Sequence, residues 1–94
     1  MQFDKYINDK NGATLASYGP RTLVVDLNDP DGAAVVEEVE PDKAGFWGVY
    51  VYDAEGCATW IGDAFDENSA ATFARLAALR VGVRRLIEEL TEGA

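Results

Sequence analysis

Short segments of alternating apolar and polar residues occupy the first two thirds of the chain. Such alternation is typical of half-buried β-strands, and clusters of Gly, Pro, Asn and Asp favour turns between them. Six segments of strand length result, at residues 2–7, 13–18, 21–27, 33–40, 46–52 and 57–62. The turn signal Tyr18-Gly19-Pro20 separates the second segment from the third, and loops of hairpin length join the first pair and the last pair.

The segment at residues 33–40 has two interpretations. Its valines, Val35, Val36 and Val39, favour a strand, because β-branched side chains suit a pleated surface. Asp31 could instead cap a short helix over the same residues. The sequence alone leaves both open.

The last third of the chain changes to a helical period. Asp66 is a good N-cap and Glu67 suits the positive end of a helix dipole, so a helix is predicted over residues 66–91. Spacings of four and three residues connect an apolar stripe of Thr72, Leu76, Leu79, Val83, Leu86 and Leu90, widened by Phe73 and Ile87. A second face carries the small residues Ala70, Ala74, Ala77 and Val81. One side of this helix must be covered.

The predicted helix is longer than the predicted strands. At about 1.5 Å per residue it spans on the order of 36 Å, whereas a strand of six or seven residues covers about 20 Å. The helix therefore either overhangs its sheet or breaks, and Gly82 is the expected break. A continuous helix would need a cover for four candidate self-association residues: Val83, Leu86, Ile87 and Leu90. A second copy of the chain is the simplest source, so a homodimer is one predicted assembly.

These patterns predict a single α+β domain over residues 1–94. We expect an antiparallel β-meander of four to six strands, strand-rich over residues 1–62, with one long C-terminal α-helix packed on one face. A chain of 94 residues that is 48% hydrophobic can build one core of this kind.

The composition excludes several kinds of chemistry. Histidine is absent and Cys57 is the only cysteine. No disulfide within the chain, no Cys/His zinc site and no histidine-activated nucleophile can therefore form. Carboxylate pairs could serve as acid and base, but their spacing selects none. We predict that the protein is not an enzyme and uses no cofactor or metal ion, and that Cys57 is a half-buried packing residue.

Charge is segregated along the chain. The formal net charge of −9 argues against direct binding of nucleic acid or an anionic membrane. Residues 26–67 carry twelve acidic residues and one basic residue, whereas residues 75–85 carry four arginines and no acid. Three interpretations stay open: the acids are a solvated face, the acids form a binding face, or Arg80, Arg84 and Arg85 form an anion site on the helix.

The acids best placed for a binding face lie on the fourth segment and in the turns. Side chains two residues apart on a strand share a face at about 6.6 Å, so Glu38 and Glu40 would form a negative row. The candidate contact residues are Glu37, Glu38, Glu40, Asp42, Asp53 and Glu55. Such a row can imitate the phosphate backbone of DNA and occupy a basic surface of a partner protein.

Aromatic residues between positions 46 and 65 add a second possible contact surface. Alternation sets Trp47 on the face opposite Tyr50 and Tyr52, so both faces of the predicted sheet carry rings. One face can be the helix-covered core while the other presents interface anchors. Coverage of the second face by loops or a second subunit is the alternative.

The profile as a whole resembles the small, acidic, single-domain inhibitors encoded by phages and other mobile elements, including anti-CRISPR proteins. The similarity is one of type and not of sequence. It is carried by the chain length, the stretch Glu37-Glu38-Val39-Glu40 in the acidic block, the aromatic strand Phe46–Tyr52 and the missing catalytic residues. It implies a phage-encoded DNA mimic that blocks a nucleoprotein complex in the host cytoplasm. The arginine cluster departs from a purely negative mimic.

Location follows from three features of the chain. The N-terminal residues show no basic head with an apolar run, so no secretory signal is predicted. The longest apolar run is far shorter than a membrane span, and a lone cysteine suits a reducing compartment. We expect a soluble cytoplasmic protein, while a mature secreted form stays open.

Two functional hypotheses result. The first is a non-enzymatic inhibitor that occupies a basic, nucleic-acid-binding surface of a protein partner. The alternative is a structural or regulatory subunit that self-associates through the C-terminal helix.

Overall fold

Five antiparallel strands and one long C-terminal helix build the fold, in a computed structural model that describes residues 2–92. The strands are β1 (Lys5–Asn8), β2 (Thr14–Val25), β3 (Ala34–Glu38), β4 (Phe46–Tyr52) and β5 (Ala58–Ala64). Helix α1 spans Glu67–Glu92, and a 3₁₀ turn at Pro41–Lys43 precedes β4. The predicted α+β fold is confirmed, and the segment at residues 33–40 contains the strand β3 rather than a helix.

The long strand β2 replaces two predicted strands. The expected turn at Gly19 and Pro20 is wrong, because the chain stays extended from Thr14 to Val25. Gly19 does not form a turn but leaves room for the Asp4 side chain, because a Cβ atom at this position would lie 1.7 Å from the Oδ1 atom of Asp4. A glycine that makes room for a neighbouring side chain looks the same in the sequence as a glycine that makes a turn.

The order of strands in the sheet is β1-β2-β4-β5, with β3 paired to β2 outside this path. Arg21 of β2 pairs with both Glu38 of β3 and Phe46 of β4, so β3 and β4 lie on opposite edges of β2. On the edge opposite β4, β1 pairs with residues 14–18 of β2 and β3 pairs with residues 21–25. β1 and β3 therefore follow one another along one edge.

The far half of β2, the turn and β3 form a two-stranded arm, residues 22–38. β3 forms backbone hydrogen bonds with β2 and with no other strand of the described residues. The molecule measures 56 × 28 × 19 Å, with a Cα radius of gyration of 15.8 Å. A compact domain of this length would have a radius of gyration of about 12 Å. The arm and the overhanging helix account for the difference.

The core lies between α1 and one face of the sheet. Small side chains on the helix let it approach closely, and Ala70, Ala71, Ala74, Ala77 and Ala78 are buried there. They pack against sheet residues that include Leu15, Tyr18, Trp47 and Val49. Trp47 thus faces the helix, and its ring centroid lies 6.4 Å from that of Tyr18.

Helix α1 begins and ends within one residue of the predicted range 66–91. The Oδ1 atom of Asp66 accepts a hydrogen bond from the Ser69 amide at 2.7 Å, which confirms the N-cap. Of the two alternatives for its length, the break at Gly82 does not occur, because α1 runs unbroken to Glu92. One glycine costs a helix only about 1 kcal/mol, which the good helix formers around it offset. Within residues 2–92 no helix combines the length and the hydropathy that crossing a membrane requires.

Candidate functional site

The apolar stripe of α1 faces away from the sheet. Its large side chains are 49% to 68% exposed: Leu76, Leu79, Val83, Leu86, Ile87 and Leu90. At about 100° per residue, these six lie within an arc of about 100°, centred almost opposite the buried alanines. We call this set the seam. The small face of the helix meets the sheet, so the seam stays uncovered in the single chain.

A groove extends the seam toward the sheet. It has a volume of ≈ 730 Å³, lies between α1 and β5, and is lined in part by Ile61, Phe73, Leu76 and Arg80. Its walls are mainly hydrocarbon, so it offers surface for another apolar group. Exposed apolar patches of this extent typically mark interaction sites.

Charged residues border the seam on both sides. Arg75 and Glu89 lie along one border and Arg80 and Arg84 along the other. Arg85 turns back to the sheet, where its Nη2 atom donates to the Tyr52 carbonyl oxygen at 2.8 Å. The predicted anion site of Arg80, Arg84 and Arg85 is therefore divided, because Arg85 holds α1 to the end of β4.

Four of the predicted acidic contact residues lie on the arm or at its base. Glu37 and Glu38 are exposed on β3, and Glu40 and Asp42 are exposed around the 3₁₀ turn that follows. Among residues 2–92, none of these four carboxylates forms an ion pair or accepts a hydrogen bond. Their charges are not neutralised by the helix arginines.

These four acids surround the arm instead of forming one row. Glu38 pairs with Arg21 and Glu37 with Thr22, so the two glutamates project from opposite faces of the ribbon. β3 ends at Glu38, so the strand register that would align Glu38 with Glu40 does not continue.

The other two predicted contact residues, Asp53 and Glu55, lie at the opposite end of β4. The seven residues of β4 separate them from the arm base by about 20 Å. The Oδ1 atom of Asp53 accepts hydrogen bonds from the amides of Glu55 and Cys57, each at 2.9 Å, which fixes the β4–β5 turn. The structure therefore does not bring these two acids together with the four on the arm.

Cys57 belongs to the same turn. Its side chain is exposed, so the prediction of a half-buried packing residue is wrong. The residue precedes β5, which begins at Ala58, and so lies outside the sheet. Ligand atoms of Asp53, Glu55 and Cys57 lie within 4.8 Å of one another. The backbone hydrogen bonds of Asp53 explain that cluster as part of the turn.

The arm also exposes apolar side chains that the sequence did not single out as a contact surface. They are 40% to 93% exposed: Leu23, Val24, Val25, Leu27, Val35 and Val36. Leu23 pairs with Val36 and Val24 with Val35, so each face of the ribbon carries an apolar pair. An isolated two-stranded ribbon is marginally stable in water. The arm therefore exposes apolar side chains on both of its faces.

A buried ion pair anchors the base of this arm. The Nη1 and Nη2 atoms of Arg21 donate to the two carboxylate oxygens of Asp4, each at 2.8 Å. The Nε atom of Arg21 donates to the Tyr50 hydroxyl at 3.1 Å. The Arg21 and Asp4 side chains are only 3% and 1% exposed. The hydrogen bonds that Arg21 donates to Asp4 raise the pKa of Arg21 above its ordinary value, so the guanidinium stays charged.

Sequence reasoning missed this pair because nothing local joins its members. Asp4 precedes β1 and Arg21 lies in the middle of β2, 17 residues later. The pair holds the N-terminal segment to the point where the arm leaves the sheet, so it is a structural support for the arm.

Aromatic residues cover the sheet face opposite the helix. The rings of Tyr6 and Tyr52 lie 6.4 Å apart, and Trp60 is exposed on β5. Phe46, Trp60 and the arm residue Val36 line a groove of ≈ 280 Å³. The exposed rings therefore continue the apolar surface of the arm onto the body of the protein.

No family model, no curated protein and no solved structure matches this chain. Two surfaces stay uncovered among the described residues, the seam and the arm.

Proposed function

We propose that this chain is a small, acidic, non-enzymatic binding protein that uses its arm to occupy a basic surface of a partner protein. The observation that supports this function best is the arm itself. It is an uncovered ribbon with five acidic residues and no basic residue in residues 22–38. Its contact residues are Glu37 and Glu38 on β3, with Glu40 and Asp42 at the base.

The chemistry of the arm suits a cleft lined with Lys and Arg. Carboxylates on both faces of a narrow ribbon can meet basic side chains on both walls of such a cleft, while the valines between them bury apolar area. Opposite charge accelerates the encounter and makes binding sensitive to salt. A nucleic-acid-binding protein offers this kind of surface, and the acidic ribbon would occupy it in place of the phosphate backbone.

The turn at the tip of the arm is already ordered for binding. The Oδ1 atom of Asp26 accepts from the Asn28 amide, and that of Asp29 accepts from the Asp31 amide, each at 2.9 Å. Order that exists before binding lowers the entropy lost on association. The tip aspartates shape the turn, whereas the glutamates of β3 remain available to a partner.

The similarity in type to phage-encoded inhibitors, including anti-CRISPR proteins, supports the same proposal. In that case the chain acts in the cytoplasm of a phage host, and its partner is a nucleoprotein complex that loses access to nucleic acid.

Charge reversal tests the proposal. Glu38→Lys with Glu40→Lys changes the arm by four charges, and Glu55→Lys with Glu92→Lys makes the same change far from it. Each protein is immobilised and exposed to host lysate at about 0.1 M and about 1 M salt, where the Debye length falls from about 10 Å to about 3 Å. Mass spectrometry identifies what is retained, and the captured protein is then titrated with nucleic acid.

The expected result is a basic protein that is captured at low salt by the wild type and by the Glu55/Glu92 control. The arm variant and the high-salt wash should both release it, and the wild type should displace its nucleic acid. Equal capture by the arm variant would overturn the proposal.

A second candidate function, self-association through α1, is favoured by the uncovered seam. Full burial of one large aliphatic side chain contributes about 1.5–3 kcal/mol, and about half of each seam residue remains to be buried. Six residues from each of two chains then contribute on the order of 10 kcal/mol, which is similar to the cost of association at roughly 4–15 kcal/mol. The chain would form a concentration-dependent homodimer and serve as a structural or regulatory subunit.

A further inference from the structure

We infer that the seam pairs antiparallel with the seam of a second copy, in the register that sets Leu79 against Val83 of that copy. This inference rests on the proposed self-association and adds its orientation and register. Both follow from the spacing and charge of residues on α1.

The spacing of the seam is that of a coiled-coil interface. Residues 72, 76, 79, 83, 86 and 90 alternate steps of four and three, which keeps a stripe facing a partner helix. The sheet covers the opposite side of α1, where the alanines are buried. Two copies can therefore join their helices without contact between their sheets.

The border charges favour the antiparallel orientation. Parallel helices would set Arg75 of one copy beside Arg80 of the other, which is a repulsive pair. In the antiparallel register, Arg75 of each copy lies beside Glu89 of the other, so two attractive pairs form. Position 82, on the same border, is glycine and leaves room where the two helices cross.

The position of the arm favours the same orientation. α1 starts directly after β5, whose end pairs with Trp47 beside Pro20 of β2, so the helix begins at the arm end of the molecule. Parallel pairing would bring two acidic arms to one end. Antiparallel pairing sets them at opposite ends and avoids that repulsion.

The register then defines the layers of the interface. Thr72 meets Leu90, Leu76 meets Leu86, and Leu79 meets Val83, each pair occurring twice by symmetry. Phe73 packs beside Ile87 of the second copy. Two Arg80 side chains meet near the axis, where their length lets them extend into solvent on either side.

Disulfide trapping tests the register. In a Cys57→Ser background, Leu79→Cys and Val83→Cys are oxidised separately and as an equal mixture. A disulfide requires Cα atoms about 4.4–6.8 Å apart, which the register gives only between position 79 of one copy and position 83 of the other. The expected result is strong cross-linking in the mixture and weak cross-linking in each single sample. Efficient cross-linking of Leu79→Cys alone, or of Val83→Cys alone, would show parallel helices or an antiparallel register centred on that residue; either result overturns the inference.

Sedimentation equilibrium of the wild type separates the two ways of failing. A monomer at all concentrations overturns both self-association and the register, whereas a dimer with another cross-linking pattern overturns the register only.

A charge exchange gives an independent check. Arg75→Glu should weaken the dimer by about tenfold, since two attractive pairs become repulsive, and adding Glu89→Arg should restore it. Failure of the exchange to restore affinity would contradict the Arg75–Glu89 contact.

Discussion

At the scale of single residues, the base of the arm depends on one buried charge pair. Asp4 and Arg21 are almost fully excluded from water, and both guanidinium Nη atoms are matched by carboxylate oxygens. The guanidinium also lies over the Tyr50 ring, 5.2 Å from its centroid. A buried ion pair of this kind adds little net stability when it is intact, but loss of one partner leaves an unmatched charge in the interior.

Asp4→Asn is therefore expected to lower the free energy of unfolding by about 3–5 kcal/mol, because Arg21 stays charged and loses its carboxylate. Urea unfolding followed by circular dichroism measures the change. Lys5→Gln is the matched control, since Lys5 forms an exposed ion pair with Glu67 that water screens. A midpoint for Asp4→Asn equal to that of the control would show that the pair does not support the fold.

The contrast between Asp66 and Asp4 shows which residue roles the sequence can reveal. Asp66 caps a helix whose start is indicated by the residues that follow it, so its role could be predicted. The roles of Asp4, Gly19 and Arg21 arise only when β1 and β2 pair, because each depends on a neighbour brought close by the fold. No local pattern marks such residues.

At the scale of secondary structure, α1 is fixed at its start by a charged cap. The backbone hydrogen bond from Ser69 lowers the pKa of Asp66 below its ordinary value of 3.8. A lowered folded-state pKa means that the ionised cap stabilises the fold fully above that ordinary value. The stabilisation is lost as the pH falls through the folded-state pKa.

Asp66→Asn should therefore remove a pH-dependent part of the stability while keeping a capped helix, because Asn is also a good N-cap. The melting temperature of the wild type should exceed that of the variant near neutral pH. The two values should converge as the pH falls through the lowered folded-state pKa of Asp66. A difference that stays constant over this range would mean that the charge of Asp66 contributes nothing.

The strands and the helix were largely predictable, but their mutual arrangement was not. Alternation located β4 and β5, and the helical period located α1, because both signals are local. The sequence did not show that β2 continues through Gly19. It also did not show that β3 pairs with the same edge of β2 as β1 does. The sequence also left open which face of α1 meets the sheet, since the alanine face and the leucine face are both apolar. The alanine face meets the sheet because its small side chains let the helix approach the sheet closely.

At the scale of the whole molecule, the protein has more apolar surface than a single chain covers. The seam and the arm are separate, since no residue of β3 packs on α1. In the antiparallel dimer, two acidic arms would point to opposite ends, so one assembly could engage two basic sites. In the proposed functions these two surfaces serve different partners: the seam binds a second copy, and the arm binds a basic protein.

The sequence predicted part of the candidate site, because charge composition and helical spacing are local signals. Charge composition pointed to the acids of residues 37–42, and helical spacing pointed to Val83, Leu86, Ile87 and Leu90. The separation of Asp53 and Glu55 from the other acids follows from the direction of β4. That separation, like the exposure of the arm valines, depends on how the strands pack.

Sedimentation equilibrium of two matched valine variants tests whether the seam, and not the arm, binds a second copy. Val83 in the seam and Val35 in the arm are 49% and 54% exposed, so a glutamate at either position costs the folded monomer little. We expect Val83→Glu to have the mass of one chain at concentrations where Val35→Glu and the wild type have the mass of two. A dimeric Val83→Glu, or a monomeric Val35→Glu, would contradict it.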